Sequence, residues 1–190
     1  MQIGLFFGSF NPIHNGHLII AQSALESTQI QELWFVVSPQ NPFKKNKNLL
    51  HEFDRLDMVR LAIEDNDRFR ASDIEFHMPR PSYTIDTLIY LKEQFPDKQF
   101  KLIIGGDNLA ILPKWKNNER ILEDFGLIVY PRPGSNHPEL SGHPNVTYIE
   151  APLMSISATY IRKCIRNEQS IRYLVPDSVS EMISRRKFFL

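Results

Sequence analysis

The side chains best suited to chemistry lie in one early segment, Gly8-Ser9-Phe10-Asn11-Pro12-Ile13-His14-Asn15-Gly16-His17. Two histidines three positions apart, with Gly16 between them, can place two imidazoles in one pocket. A neutral imidazole donates a hydrogen bond to an anionic oxygen without carrying a fixed charge. Gly8 and Ser9 are small enough for their backbone amides to approach a phosphate. A helix opening behind them would present its unpaired N–H groups and the positive end of its dipole to the same anion. The segment therefore has the parts of a polyphosphate cradle. A plainer reading is a strand–turn–helix corner with two surface histidines. A zinc reading needs a third ligand, and no cysteine or spaced histidine cluster supplies an obvious one.

Such a cradle works only if rigid elements hold it. Residues 3–7 are a short apolar run that reads as a strand, and Leu18, Ala21, Leu25 and Thr28 recur at helical spacing after the loop. Residues 33–37 read as a second strand, followed by a polar loop over 40–48. Phe53, Leu56, Val59 and Ile63 fit one helical face. A short strand is expected at 69–74, and a helix carrying Ile85, Leu88, Leu91 and Phe95 is stopped by Pro96. Residues 100–104, 126–130 and 146–149 read as further strands, 157–167 as a helix, and a last helix is expected from Asp177 as its N-cap. Near-continuously apolar strands alternating with helices predict a three-layer, Rossmann-like α/β fold with a mostly parallel central sheet. In such sheets ligands bind outside the carboxyl ends of the strands. That rule gathers residues 8–17, 38–48, 105–115, 131–134 and 154–162 at one rim.

The whole-chain properties agree with a small-ligand site. At 190 residues, a single domain is expected over 1–190, with 153–190 as its C-terminal helical part. Lys plus Arg and Asp plus Glu are both 22, so the chain lacks the basic excess usual for gripping long nucleic acid. A lone cysteine, Cys164, excludes an internal disulfide and suits a reducing cytosol; it shares an apolar face with Ile161 and Ile165 and reads as core. No apolar run approaches the ~20 residues of a membrane span, and residues 1–7 lack the features of a signal peptide. A cytoplasmic protein without nucleic-acid or membrane partners is the expectation. His51, His77, His137 and His143, with Lys45 and Lys47, carry no pattern that points to function.

The early segment resembles the first signature of the nucleotidyltransferase superfamily, and Ile156-Ser157-Ala158-Thr159-Tyr160-Ile161-Arg162 resembles its second, C-terminal signature. Three further stretches are similar to the nicotinate-nucleotide adenylyltransferases in particular: Pro81-Ser82-Tyr83-Thr84-Ile85-Asp86-Thr87-Leu88, Gly106-Asp107-Asn108-Leu109 with Leu112-Pro113-Lys114-Trp115, and Arg132-Pro133-Gly134. The resemblance runs from Ile3 to about Arg166. Three positions depart from it: Phe7 replaces a glycine, Phe43 stands where a histidine is usual, and Ala158 replaces a serine.

The resemblance implies transfer of AMP from ATP to nicotinate mononucleotide, releasing pyrophosphate, with Mg²⁺ carried on the ATP phosphates and no metal ligand from protein side chains. It assigns His14, His17 and Arg162 to catalysis. ATP would be bound by these three with Gly8, Ser9, Phe10, Gly16, Gly105, Asp107, Ser157 and Thr159. The mononucleotide would be bound by Asn11, Lys44, Tyr83, Thr84, Trp115 and Arg132. A guanidinium suits the β- and γ-phosphates because its planar fork grips two oxygens at once. The competing expectations are the same transfer to nicotinamide mononucleotide or another phosphorylated acceptor, a metal-dependent hydrolase using His14, His17 and Asp107, and a nucleotide-binding regulator without chemistry.

Overall fold

A computed structural model describes residues 1–39, 49–132, 140 and 142–190. Six strands form one all-parallel sheet: β1 (Gln2–Gly8), β2 (Glu32–Val37), β3 (Phe69–Ser72), β4 (Gln99–Gly105), β5 (Leu127–Tyr130) and β6 (Val146–Tyr148). Their spatial order is β3-β2-β1-β4-β5-β6. β1 is central, with Gly8 opposite Val37 of β2 and Phe6 opposite Ile103 of β4. The chain runs outward to one side through β2 and β3, then returns to the other side of β1 as β4. The order reverses between β1 and β4, so the loops after these two strands part and leave a crevice at their carboxyl ends.

Side-chain alternation along the strands divides the core into two layers. Ile3 and Leu5 of β1, Trp34 and Val36 of β2, and Leu102 and Ile104 of β4 point to one face. That face is covered by α3 (Thr84–Gln94), through Ile85, Leu88 and Leu91, and by the irregular stretch before β5. Phe6, Leu33, Phe35, Val37, Ile103 and Ile128 point the other way. There they meet α1 (Asn15–Ser27), α2 (Glu52–Ala62), α6 (Ala158–Arg166) and α7 (Asp177–Arg186). Two one-turn helices, α4 (Gly106–Leu109) and α5 (Asn118–Arg120), complete the link from β4 to β5, the latter running into a wide turn at Ile121–Phe125.

The C-terminal helices belong to the same core as the first half of the chain. Ile161, Cys164, Val179, Met182 and Ile183 pack in the cluster of α1 and α2. Ser178 Oγ donates to the Leu61 carbonyl at 3.2 Å, and Arg186 Nη1 meets Asp54 Oδ1 at 2.6 Å.

Several local expectations shift. The strand expected over 69–74 ends at Ser72, because Ile74–His77 tightens into a single 3-10 turn. The first helix opens at Asn15 rather than Leu18, so Gly16 and His17 lie in its first turn. Asp177 is the first helical residue, with Pro176 in the cap position. Phe53 is 54% exposed and lies off the core face; its ring stacks on His51 and meets Phe76 edge-on.

Candidate active site

β1 ends at Gly8, and the backbone turns at Phe10, whose φ is 43°. Phe10 is held there by its ring, which is buried against Phe6, Phe35 and His17. Gly8 has no room for a side chain: an added Cβ would lie 2.7 Å from the Phe10 ring. Asn11 is buried, its Oδ1 accepting from Leu50 N at 3.2 Å. His14 is the cap residue of α1, which begins at Asn15. Asn15 is fixed through its backbone and side chain to the carbonyls of Leu174 and Tyr173, at 2.9 and 2.7 Å. The last quarter of the chain thus pins the start of the helix that carries the histidines.

His14 and His17 stack, with ring centroids 3.7 Å apart and planes 24° from parallel. His17 Nδ1 accepts the backbone N–H of His14 at 3.2 Å. In a neutral ring the proton then sits on Nε2, which is left as a donor. Gly16 makes this possible: a Cβ there would lie 3.1 Å from His14 Nδ1 and 3.2 Å from His14 Cε1, against a ring that is buried and stacked.

The electrostatics keep both rings uncharged. Burial, reinforced by the Arg132 cation, pushes His14 down to about 4. His17 is held well below its usual range by burial first, then by His14 and Arg132. The sign of the pH effect follows. Between pH 6.5 and 4 the unfolded chain binds a proton that folded His14 refuses, so stability is full above pH 6.5 and falls as the pH drops towards 4. His14 alone should contribute on the order of 2 kcal/mol of loss by pH 5. Urea unfolding of the wild type and His14→Gln at pH 7.5 and 5 checks this. The wild type should lose more stability than the variant, and equal losses would remove His14 as the cause.

The second signature lies against the first. Ser157 caps α6, its Oγ accepting Tyr160 N at 3.2 Å, so the cap serine of the helix is the serine expected to face phosphate. Thr159 and Arg162 follow in the first turns, with Arg162 Nη2 donating to Thr159 Oγ1 at 3.3 Å. Arg162 Nη1 donates to the Asn11 carbonyl at 2.7 Å across 151 residues of sequence, and its Nε is buried without a partner among the described residues. On the other side of the crevice Gly105 ends β4, leaving no space for a Cβ beside Asp107 Oδ1 and Tyr130 Oη. Asp107, largely exposed, pairs with Arg132 Nε at 3.8 Å, and Arg132 leans over the Tyr130 ring at 5.3 Å.

A second group gathers at the start of α3. Tyr83 is its cap residue and Thr84 its first residue, so the leading N–H groups of the helix are there. Trp115 follows a 3-10 turn at Leu112–Lys114 and packs partly into the core, with Nε1 buried and unpartnered among the described residues. The next residue, Lys116, bridges the two: its Nζ lies 4.9 Å from the Tyr83 ring centre and 2.8 Å from Asp86 Oδ2. Lys44, with Phe43, Pro133, Gly134 and His137, lies outside the described residues.

Two buried ionisable groups escaped the sequence reading. Glu75 takes a hydrogen bond from Thr87 Oγ1 at 2.9 Å, and burial raises its pKa against the opposing pull of the Ser38, Thr87 and Ser82 hydroxyls. Arg55, wholly buried on α2, donates to the carbonyls of Ser9, Ser38, Pro39 and Leu50. Neither position has a signal in one sequence: Arg55 reads as a charge on a solvated helical face, and Glu75 as a charge just past a short strand.

A parallel sheet with phosphate-suited imidazoles, amides and a guanidinium at its switch point defines a protein that handles nucleotides, and the cytidylyltransferase-like family pattern matches residues 5–164. A protein of Cytophaga hutchinsonii is 59% identical over all of this chain and 98% of its own length, and one of Flavobacterium johnsoniae is 48% identical over all of this chain and 99% of its own. Both are named "Probable nicotinate-nucleotide adenylyltransferase". This chain belongs to the nicotinate-nucleotide adenylyltransferase family. The fold agrees: the Plasmodium falciparum nicotinic acid mononucleotide adenylyltransferase solved with NaAD superposes with a TM-score of 0.81 at 23% identity, covering 99% of this chain and 97% of that one.

Proposed function

We infer that the protein transfers the adenylyl group of ATP to nicotinate mononucleotide, giving nicotinate adenine dinucleotide and pyrophosphate, the step its named relatives imply in dinucleotide synthesis. The observation that carries the reading is the junction of the two signatures: stacked neutral imidazoles and a guanidinium bonded to the Asn11 carbonyl, at the carboxyl end of β1.

The acceptor's 5′-phosphate is already anionic, so no enzyme nucleophile or general base is required. The work is to align two anions in line and to stabilise charge as it moves to pyrophosphate. His17 Nε2–H donates to the α-phosphate, and His14 supports it while contacting the neighbouring phosphate oxygens. Neutral rings suit this task because they need not lose a proton to act. Gly8, Ser9 and Phe10 offer main-chain approach, Gly16 keeps the rings in place, and Ser157, Thr159 and Arg162 hold the β- and γ-phosphates. Asp107, exposed beside Gly105, accepts from the adenosine ribose hydroxyls.

On the acceptor side, Trp115 stacks on the pyridine ring, while the Tyr83 and Thr84 amides, at a helix N-terminus, face the pyridine carboxylate. Asn11, whose Oδ1 accepts from Leu50 N and whose carbonyl accepts from Arg162, contributes to the mononucleotide set. Arg132 binds the mononucleotide, a role supported by its pairing with Asp107 and its electrostatic reach to both histidines. Lys44 completes the mononucleotide set.

The site's donors are imidazole, amide and guanidinium, which suit phosphate oxygens rather than a hard cation. Among the described residues no three His, Cys, Asp or Glu side chains gather. A Mg²⁺ carried on the ATP phosphates would neutralise part of their charge.

The test is pyrophosphate release from ATP with each acceptor. Nicotinate mononucleotide should be turned over faster than nicotinamide mononucleotide, since the amide lacks the charge that the α3 N-terminus favours. Equal or better turnover of the amide would sink the acid preference, and turnover of neither would sink the reading itself.

A further inference from the structure

Arg55 is the largest side chain wholly buried among the described residues, and none of its hydrogen bonds there goes to a carboxylate; Glu52 acts on it only through space. Among the described residues its guanidinium donates to main-chain carbonyls: Nη1 to Ser9 at 2.6 Å and Ser38 at 2.8 Å, Nη2 to Pro39 at 3.1 Å, and Nε to Leu50 at 2.9 Å. These acceptors come from the loop after β1, the loop after β2 and the approach to α2. Burying a cation without a hydrogen-bonded anion is costly, and the pull of Glu52 offsets only part of it. Burial pushes its pKa down to about 10, so the group still carries its charge at neutral pH. An apolar side chain would fill the space without that cost. What it could not do is hold three backbone stretches by their carbonyls.

The Ser9 contact has a consequence for the neighbouring amide. The cis bonds among the described residues are Asn11–Pro12 and Arg80–Pro81, so Ser9–Phe10 is trans. In a planar trans peptide the C=O and the following N–H point in opposite directions. Holding the Ser9 carbonyl towards α2 therefore turns the Phe10 N–H away from α2. Phe10 itself sits at φ 43°, in the left-handed region, with its ring buried, so the direction of its N–H depends on how the Ser9–Phe10 peptide is held.

We propose that Arg55 is a positioning residue for adenylyl transfer: its grip on the Ser9 carbonyl aims the Phe10 N–H at the ATP phosphates, while its bonds to Ser38 and Pro39 hold these two residues after β2 in the same frame. The proposal rests on the phosphate role assigned above to the Phe10 amide. Arg55 touches no substrate. It acts by preventing the Ser9–Phe10 peptide from rotating, so that a transition-state donor is already in place when charge moves.

Arg55→Lys keeps the charge but replaces the fork by a single nitrogen, which cannot reach carbonyls on both sides. Steady-state kinetics on the folded variant should show kcat lowered on the order of 10-fold or more, as for a misdirected charge-stabilising donor, with KM for ATP changed less than about 3-fold. Leu56→Val, at a buried neighbour on the same helix, should lose stability while keeping kcat. A purely structural Arg55 would make the two variants alike, and that result, or an effect carried by KM, overturns the proposal. A second measurement uses the unsubstituted protein and ATP alone. The Phe10 amide proton and the Arg55 guanidinium protons should both move downfield in ¹H–¹⁵N spectra, because hydrogen bonds through one peptide polarise each other. A Phe10 shift with unmoved Arg55 signals overturns the proposal alone, whereas an unmoved Phe10 amide removes the assigned phosphate contact beneath it.

Discussion

His17→Ala should lower kcat by about 100-fold while KM for ATP changes far less, an outcome expected from where the proton sits. The His14 backbone N–H occupies Nδ1 of His17, so the ring's remaining donor is Nε2. The ring cannot turn freely, being stacked on His14 at 3.7 Å and packed edge-on against Phe10 at 5.1 Å. A donor fixed in this way loses no freedom as the reaction proceeds, and its bond strengthens as the α-phosphate gains charge. Removing such a donor costs about 10²–10³ in turnover, or ~2.7–4 kcal/mol. Because other groups hold the ground-state triphosphate, most of the loss should fall on kcat. His17→Asn, which retains an N–H donor but not its reach, should lie between the two. Saturating both substrates and measuring pyrophosphate release checks this; a rate within about 3-fold of wild type would take His17 out of the chemistry.

Arg162→Ala should lower kcat/KM for ATP by about 100-fold, and Arg162→Lys by about 10-fold. The side chain joins the two signatures through the Asn11 carbonyl at 2.7 Å and contacts Thr159 Oγ1, while Nε is buried and unpartnered among the described residues. Loss of a buried, charge-assisted contact of this kind costs about 2–5 kcal/mol. Lysine restores the charge without the fork, so it can serve the phosphates or Asn11 but not both. The effect differs from that at His17: ATP KM should rise for Arg162→Ala, because the β- and γ-phosphates are bound before and after transfer. Isothermal titration with ATP alone separates the two. Unchanged ATP affinity in Arg162→Ala would move the residue from phosphate binding to fold maintenance.

Arg162 and Asn11 also show how far one sequence can be read. The two signatures were legible because each is a short run whose chemistry is set by local backbone: small residues, paired histidines, a cap serine and an arginine one turn into a helix. The strands were legible because a sheet covered on both faces requires nearly continuous apolar runs. Their alternation between two core layers was hidden for the same reason, since Trp34 and Phe35 look alike until each meets its own layer. Phe53 misled because helical spacing marks a face without saying whether anything covers it. The strand assigned to 69–74 misled because Ser72 and Asp73 favour turning, and a tight turn replaced the last rungs of the ladder.

The sequence by itself determined the sheet class and the residue types that could handle two anions, because these depend on local composition and spacing, while the resemblance of the two signatures marked the loops proposed to face phosphate. The tertiary structure alone decided that Arg162 is bonded to the first loop and that Arg55 and Glu75 are buried rather than solvated. Those outcomes depend on contacts between residues 12 to 151 positions apart. A hydrogen bond to a distant carbonyl leaves no periodic or compositional trace, and it exists only once the sheet has brought the strand ends together.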